Sequence, residues 1–345
     1  MSRSRVPART ARTAPGAATR GARGRAPARS GWPLALGLVG GAVADLALGD
    51  PRRWHPVAGF GRMASGLELR VWRPSRVAGA GYALALVGAT GAAAWAADTR
   101  LRRRPLGRAL LTGALAWTAL GGRSLGGIAL DLAARVRAGD LEAARALLPA
   151  LAGRDPDGLD GSELCRAAVE SVAENTADAI IGPLLWGAIA GPGGIAGYRA
   201  ANTLDAMVGH RGTRYLHFGW ASARLDDLLG WAPARLGGVL ACALAPAVGG
   251  ERSRALGTMR RDGPAHPSPN AGRLEAAFAG ALGVRLGGRN RYGDRVEERP
   301  ALGAGPLPGP ADVERAARLA TLTGAAATLV AVAIAVALRT VRPRR

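Results

Sequence analysis

Leu319-Ala-Thr-Leu-Thr-Gly-Ala-Ala-Ala-Thr-Leu-Val-Ala-Val-Ala-Ile-Ala-Val-Ala-Leu338 is an uncharged run closed by Arg339. The hydrocarbon of a bilayer takes about 20 apolar residues of helix to cross. Ala78–Ala97 meets the same condition without a charge, and so does Ala179–Tyr198, although Pro183 and Pro192 interrupt it. Weaker windows are Trp32–Leu48, which carries Asp45, Ala109–Gly122, and Leu228–Gly250, which carries Arg235. Core helices of water-soluble proteins seldom supply three uncharged runs of this length. The expected fold is therefore all-α: a polytopic integral membrane helical bundle of four to six spans, with amphipathic interfacial helices and polar loops. Residues 123–162 read as a helical pair outside the hydrocarbon, and 251–318 as mostly loop with one short helix near Gly272–Leu282. Nowhere does the sequence alternate long enough to predict a strand.

The chain has 345 residues and a formal charge of +21, and it contains no lysine. Every positive side chain at neutral pH is thus an arginine. The same bias enriches Ala and Gly, so the high charge is partly compositional, and no nucleic-acid partner is expected from it. Membrane lipid is the expected surround. Eight arginines fall in residues 1–30, which hold almost nothing to bury and read as a disordered tail, leaving 31–345 as one membrane domain. Arginines in that tail and at Arg339, Arg342, Arg344 and Arg345 place both termini in the cytoplasm, with the chain in the cell membrane. Cys165 and Cys242 lie far apart in apolar surroundings and read as buried free thiols. Without lysine, a Walker A loop and Schiff-base chemistry are excluded. Any nucleotide must be held by arginines, metal and backbone amides.

Four segments carry the chemistry. Asp50-Pro51 breaks the first apolar helix, and His55 follows in a Pro-flanked turn. Asp160 and Glu163 make a capping box that starts a helix, on which Glu170, Glu174 and Asp178 recur at every fourth residue with Asn175 beside them. At about 100° per residue they share one helix face. Carboxylates stacked at the mouth of a membrane helix repel one another unless a cation answers them. A Mg²⁺ ion on Glu170, Glu174 and Asp178, or a substrate amine, fits that demand. Arg199, Asn202 and Asp205 follow at helical spacing, and then Arg211, Arg224, Asp226 and Asp227. Arginine offers a planar donor fork suited to phosphate. Finally, His266-Pro-Ser268-Pro-Asn270 is a stiff loop that could present Ser268, Asn270 and helix amides to an anion.

These segments, in this order, resemble the CobD/CbiB family of cobalamin biosynthesis. The matching stretches are Gly49-Asp50-Pro51 with His55-Pro56-Val57, Val169 to Thr176 with Asp178, Asn202 to Asp205 with Met207-Val208-Gly209, Phe218-Gly219 with Ala223 to Asp227 and Pro233-Ala234-Arg235, and His266 to Gly272. Gly280 to Gly288 also fits, and the resemblance runs from about residue 34 to 338, with His210 and Ala179 as small departures. It implies an adenosylcobinamide-phosphate synthase, a membrane ligase driven by ATP. Such an enzyme joins (R)-1-amino-2-propanol or its O-phosphate to the free propionate carboxylate of adenosylcobyric acid, so the corrinoid is substrate rather than cofactor.

On that chemistry the carboxylate is activated as an acyl phosphate, with Mg²⁺ and arginines neutralising the phosphates. Glu170, Glu174 and Asp178 would hold metal, Asp226 and Asp227 a second metal or the amine, and His55 would be the base, with Asp205 also among the catalytic residues. Arg199, Arg211 and Arg224 would clamp phosphate, with Asp50, Asn175, Asn202, Ser268 and Asn270 binding substrate. A corrinoid-binding or transporting membrane protein without ligase activity is the alternative, since intramembrane carboxylates also mark ion pathways. It should show matched pseudo-symmetric halves, whereas the acidic motifs here cluster in the middle third.

Overall fold

The computed structural model describes residues 31–51, 53–210, 212–293 and 295–340. The proposed tail at 1–30, Arg211, and Arg342, Arg344 and Arg345 lie outside them. In chain order the helices are α1 (Trp32–Leu48), α2 (Pro56–Val71), α3 (Arg76–Arg100), α4 (Pro105–Ala119), α5 (Gly122–Arg137), α6 (Leu141–Leu147) and α7 (Gly161–Asn175). A π-helical segment, Thr176–Ile181, then leads into α8 (Gly182–Ala190), α9 (Pro192–Val208), α10 (Trp220–Leu244), α11 (Arg252–Arg261) and α12 (Ala271–Leu282). Strands β1 (Leu286–Tyr292) and β2 (Arg295–Leu302) precede the last helix, α13 (Pro310–Thr340).

Three helical stretches are long and apolar enough to cross a membrane: Arg76–Arg100, Trp220–Val248 and Pro310–Arg339. Trp32–Leu48 is apolar but shorter. The fold is all-α, as the apolar runs predict. Ala179–Tyr198 is not one span, however. Gly191 adopts φ 69° and divides it into α8 and α9, because the glycine reaches a left-handed backbone region at little cost and Pro192 starts the next helix. The strand-free reading of 251–318 also fails. Gly287 and Gly288 at φ 80° and 89° start a short antiparallel hairpin, with Leu286 opposite Leu302 and Tyr292 opposite Arg295. Its alternation is masked by charge, since β1 and β2 are rich in arginine and glutamate.

Small residues let the apolar helices approach closely. A Cβ on Gly37 would come within 2.5 Å of the Thr112 Cβ, and one on Gly41 within 2.5 Å of the Ala116 Cβ. This glycine-every-fourth-residue contact joins α1 to α4, as in many helix pairs packed in lipid. A second apolar core links α5, α7, α10, α12 and the start of α13, and includes both free cysteines, Cys165 and Cys242. The α7 end of that core carries the acidic motif, so the helices supporting the motif are packed to either side of it.

The Gly41 contact predicts a graded stability effect. Gly41→Leu should destabilise the detergent-solubilised protein by roughly 1–3 kcal/mol through overpacking. Gly40→Ala, where the new methyl meets nothing within 4 Å, should leave the unfolding midpoint unchanged or slightly raised. Equal midpoints for the two variants would contradict the packing described.

Candidate active site

Helix α7 begins where the sequence places it. The Asp160 side chain accepts from the Glu163 amide at 2.8 Å, and Glu163 accepts from the Asp160 amide at 3.0 Å. Two turns on, Glu170 is buried between arginines. Its Oε2 accepts from Arg154, and its Oε1 from Arg166 at 3.3 Å and from the Gly287 amide at 2.8 Å. Arg154 and Arg166 both also donate to Asn290 Oδ1, at 2.9 and 3.1 Å, and Arg166 to the Arg289 carbonyl. The hairpin is thereby fastened to α7. Both oxygens of Glu170 are committed to protein donors, which corrects its assignment as a metal ligand.

Glu174 stands one turn further along, exposed to water yet crowded by protein at longer range. That is the geometry of a cleft wall. Crowding raises its affinity for a proton, with Glu170 adding to the effect and Arg299 and Arg154 opposing it; the open surface limits the size of the rise. Asp178 follows on the π-helical segment. A wider turn advances less than 100° per residue, so Asp178 stays over Glu174 instead of drifting off its face. Asp178 has Asp226, Glu174 and Asp205 as electrostatic neighbours of its own sign and Arg199 as the opposing one.

Arg199 and Asn202 come from α9, Asp226 from α10. Arg199 Nη1 donates to Asn202 Oδ1 at 2.9 Å, and Asn202 Nδ2 to Asp226 Oδ1 at 3.3 Å. The buried Nε of Arg199 has no protein partner, and neither does the Tyr198 hydroxyl next to it. Asp50 acts electrostatically on Arg199, and its amide donates to Ser124 Oγ at 3.0 Å. The structure thus brings Glu174, Asp205 and Asp226 together about Asp178, with Arg199 beside Asp178, Asp226 and Asp50 and Asn202 bridging Arg199 to Asp226.

Other candidates hold the frame. Arg224 donates to Asp227 Oδ2 at 2.9 Å, and the pair is engaged with itself. Asn270 donates to the Asp227 carbonyl and accepts from Arg235, both at 2.8 Å, which docks the His266–Gly272 loop on α10. Ser268 Oγ accepts from the amides of Asn270 and Ala271 at the start of α12. Asn175 donates to the Ser171 carbonyl. His55 Nδ1 accepts from the Val57 amide at 3.2 Å and caps α2. That bond occupies the Nδ1 lone pair of His55 with a helix cap, which is a structural task for the nitrogen proposed as a base.

Sequence reasoning missed Glu275, Arg154, Arg299 and Tyr198. Glu275 is 1% exposed and lies 3.7 Å from Nε2 of buried His266, and neither of these two atoms has a hydrogen-bond partner. Burial, with Glu170 and Glu174 nearby, holds the Glu275 carboxyl well above the usual range, and burial together with Arg299 lowers His266. Among the described residues, no group of three His, Cys, Asp or Glu side chains is arranged to hold a metal ion. The expected triad of Glu170, Glu174 and Asp178 is therefore not formed. Mg²⁺ is commonly held by one or two carboxylates with phosphate oxygens completing its shell. Asp178 on the π-helical segment and Asp226 on α10, electrostatic neighbours, are the carboxylates that could form such a pair.

An all-α membrane protein with an acidic, arginine-centred cleft is the class that this fold and site define. The chain belongs to the CobD/CbiB family, since the family model described as CobD/Cbib protein matches residues 38–320. It is 50% identical over 301 residues to "Cobalamin biosynthesis protein CobD" of Mycobacterium tuberculosis, covering 86% of this chain and 95% of that one. It is 46% identical over 304 residues to the protein of the same name from Rhodobacter capsulatus, covering 85% and 94%. The Geobacter metallireducens protein of that name is 44% identical over 265 residues, covering 75% and 83%. No solved structure matches.

Two predictions follow from the buried charges. Glu170→Ala strands two buried guanidiniums and should cost about 3–5 kcal/mol of stability, as broken buried pairs do, whereas Glu174→Gln should lie within about 0.5 kcal/mol of the parent. Denaturant titration of both in detergent checks this. Glu275 binds its proton more tightly folded than unfolded. Its contribution is full below the ordinary value near 4.5 and is lost as pH rises above it. Glu275→Gln should therefore flatten the fall in melting temperature between acid and pH 8. An unchanged slope would refute the buried neutral carboxyl.

Proposed function

We propose that this chain is an ATP-dependent amide ligase of cobalamin biosynthesis. It would join (R)-1-amino-2-propanol, or its O-phosphate, to the free propionate carboxylate of adenosylcobyric acid and give adenosylcobinamide or its phosphate. The observation that carries this reading is the gathering of Glu174, Asp205 and Asp226 about Asp178, with Arg199 beside Asp178 and Asp226. Family membership and the names of the relatives support the pathway. We also propose that the protein is a multi-pass component of the cell membrane with both termini in the cytoplasm.

The reaction needs a carboxylate made into an acyl donor. A propionate oxygen attacks the terminal phosphorus of ATP, the bond to the bridging oxygen breaks, and ADP leaves. The amine nitrogen then attacks the acyl carbon, and inorganic phosphate leaves as the amide forms. Arg199, with its unpartnered Nε, is placed to hold phosphate oxygens. Magnesium, when bound by Asp178 and Asp226, would supply charge neutralisation to those phosphates. The remaining carboxylates attract the substrate ammonium. Glu174, accessible and with its proton affinity raised, takes the proton that the nitrogen must lose before or during attack.

Purified protein in detergent or nanodiscs should release ADP only when adenosylcobyric acid and the aminopropanol compound are both present, with the amide detected by mass. Glu174→Gln and Asp226→Asn should each lower kcat about 10²–10⁴-fold at matched folded protein. Activity within a few-fold of the parent for both would overturn the assignment. Corrinoid binding without ADP release under any mixture would favour the binding or transport reading.

A further inference from the structure

A cavity lies on the side of α7 away from Glu170 and Glu174. Its volume is about 620 Å³. Val172, Asn175, Thr176 and Ile180 line it. At about 100° per residue, their face is roughly opposite that of Glu170 and Glu174. The other walls are α1, α5, α8 and the membrane-length α13.

The cavity changes polarity along its length. Gly31 at the head of α1 meets the backbone of Ala335 and Val336 near the end of α13, so the two helices run antiparallel. Asp45, Arg123 and Arg318 consequently fall at one end of the cavity, while Ala42, Leu184, Ala325 and Thr328 lie toward the other. Arg123 and Arg318 are exposed there. Glu314, also at that end, is answered by Arg137 at 2.6 Å.

Asp45 is the second, independent observation. It is 4% exposed, and its carboxylate faces the amides at the start of α5, with Oδ2 accepting a long 3.4 Å bond from Arg123 and Gly122 beside it. Its Oδ1 is buried without a partner. A buried carboxylate oxygen left unsatisfied is costly, and a cationic donor would remove the cost. The site therefore offers an acceptor for an ammonium, the guanidiniums of Arg318 and of Arg123, whose Nη1 also donates to the Leu46 carbonyl at 2.9 Å, for a phosphate, and an apolar slot along the membrane-length α13.

We propose that this cavity binds a phospholipid with an aminoalkyl-phosphate head group, of the phosphatidylethanolamine type. The ammonium is held by Asp45, the phosphate by Arg123 and Arg318, and the upper part of one acyl chain by the slot. The apolar half selects a lipid over a free aminoalkyl phosphate, which would leave that half empty. The inference does not depend on the ligase reading, because the cavity and the carboxylates of Glu170 and Glu174 lie on opposite faces of one helix.

Full-length protein in mild detergent is incubated with phosphatidylethanolamine, phosphatidylcholine and phosphatidylglycerol of identical acyl chains, and retained lipid is counted by native mass spectrometry. Phosphatidylethanolamine should be retained at least about fivefold over each of the others, in line with one charge-assisted hydrogen bond. Asp45→Asn should abolish that choice. Ala325→Phe should block all three lipids, and Arg318→Gln, an exposed change that leaves the fold alone, should weaken retention severalfold. Free phosphoethanolamine at equal concentration should displace nothing. Equal retention of the three lipids by the parent would overturn the proposal, as would an unaltered preference in folded Asp45→Asn or unchanged retention in Arg318→Gln. Displacement by free phosphoethanolamine would assign the site to a soluble aminoalkyl phosphate instead.

Discussion

Glu170, enclosed by Arg154, Arg166 and the Gly287 amide, is the contact on which the rest of the site depends. Ion pairs this deeply buried contribute little net energy when complete and are very costly when broken. Their value is in geometry. This one fixes the hairpin against α7, sets the azimuth of that helix, and so decides where Glu174 and Asp178 face. The arginine that crosses from the loop before α7 is the same one that tempers the charge of Glu174. Support and chemistry are thus separated by a single helical turn.

The cleft itself is an unbalanced set of charges. Around Asp178 three carboxylates, Glu174, Asp205 and Asp226, are opposed by Arg199 alone, while Arg299 and Arg154 temper Glu174. Where the groups are half-buried that imbalance is felt more than in bulk water, and a cationic partner would relieve it. On the proposed reaction, reactants carrying ammonium and metal-complexed phosphate would answer such a field, with Arg199 as the group that meets an anion.

Much of this was legible in the sequence because it is local. The Asp160–Glu163 cap, the spacing of Glu170, Glu174 and Asp178, and the long apolar runs all rest on helical periodicity, which a single chain displays. What was illegible is tertiary. Glu170 shares a face with Glu174 yet has a different task, because Arg154 and Gly287 reach it from far away in sequence. His55 reads as a base but spends its acceptor nitrogen on a cap two residues on. Glu275 sits in an Ala-rich helix with no motif around it, and only the packing of α12 against α7 shows which charges it meets. The hairpin escaped because charged residues cover the alternation that marks a strand.

The π-helical segment has a consequence for how the gene can change. A π turn holds one residue more than the α turn it replaces. Deleting one codon within Thr176–Ile181 would preserve the reading frame and take out that extra residue, leaving an ordinary α turn with α8 still in its seat against α9. The change would fall inside the turn, on the spacing between Glu174 and Asp178. The segment is in this sense a molecular spacer: its length sets where Asp178 stands relative to Glu174, while the helices on either side are free of its count.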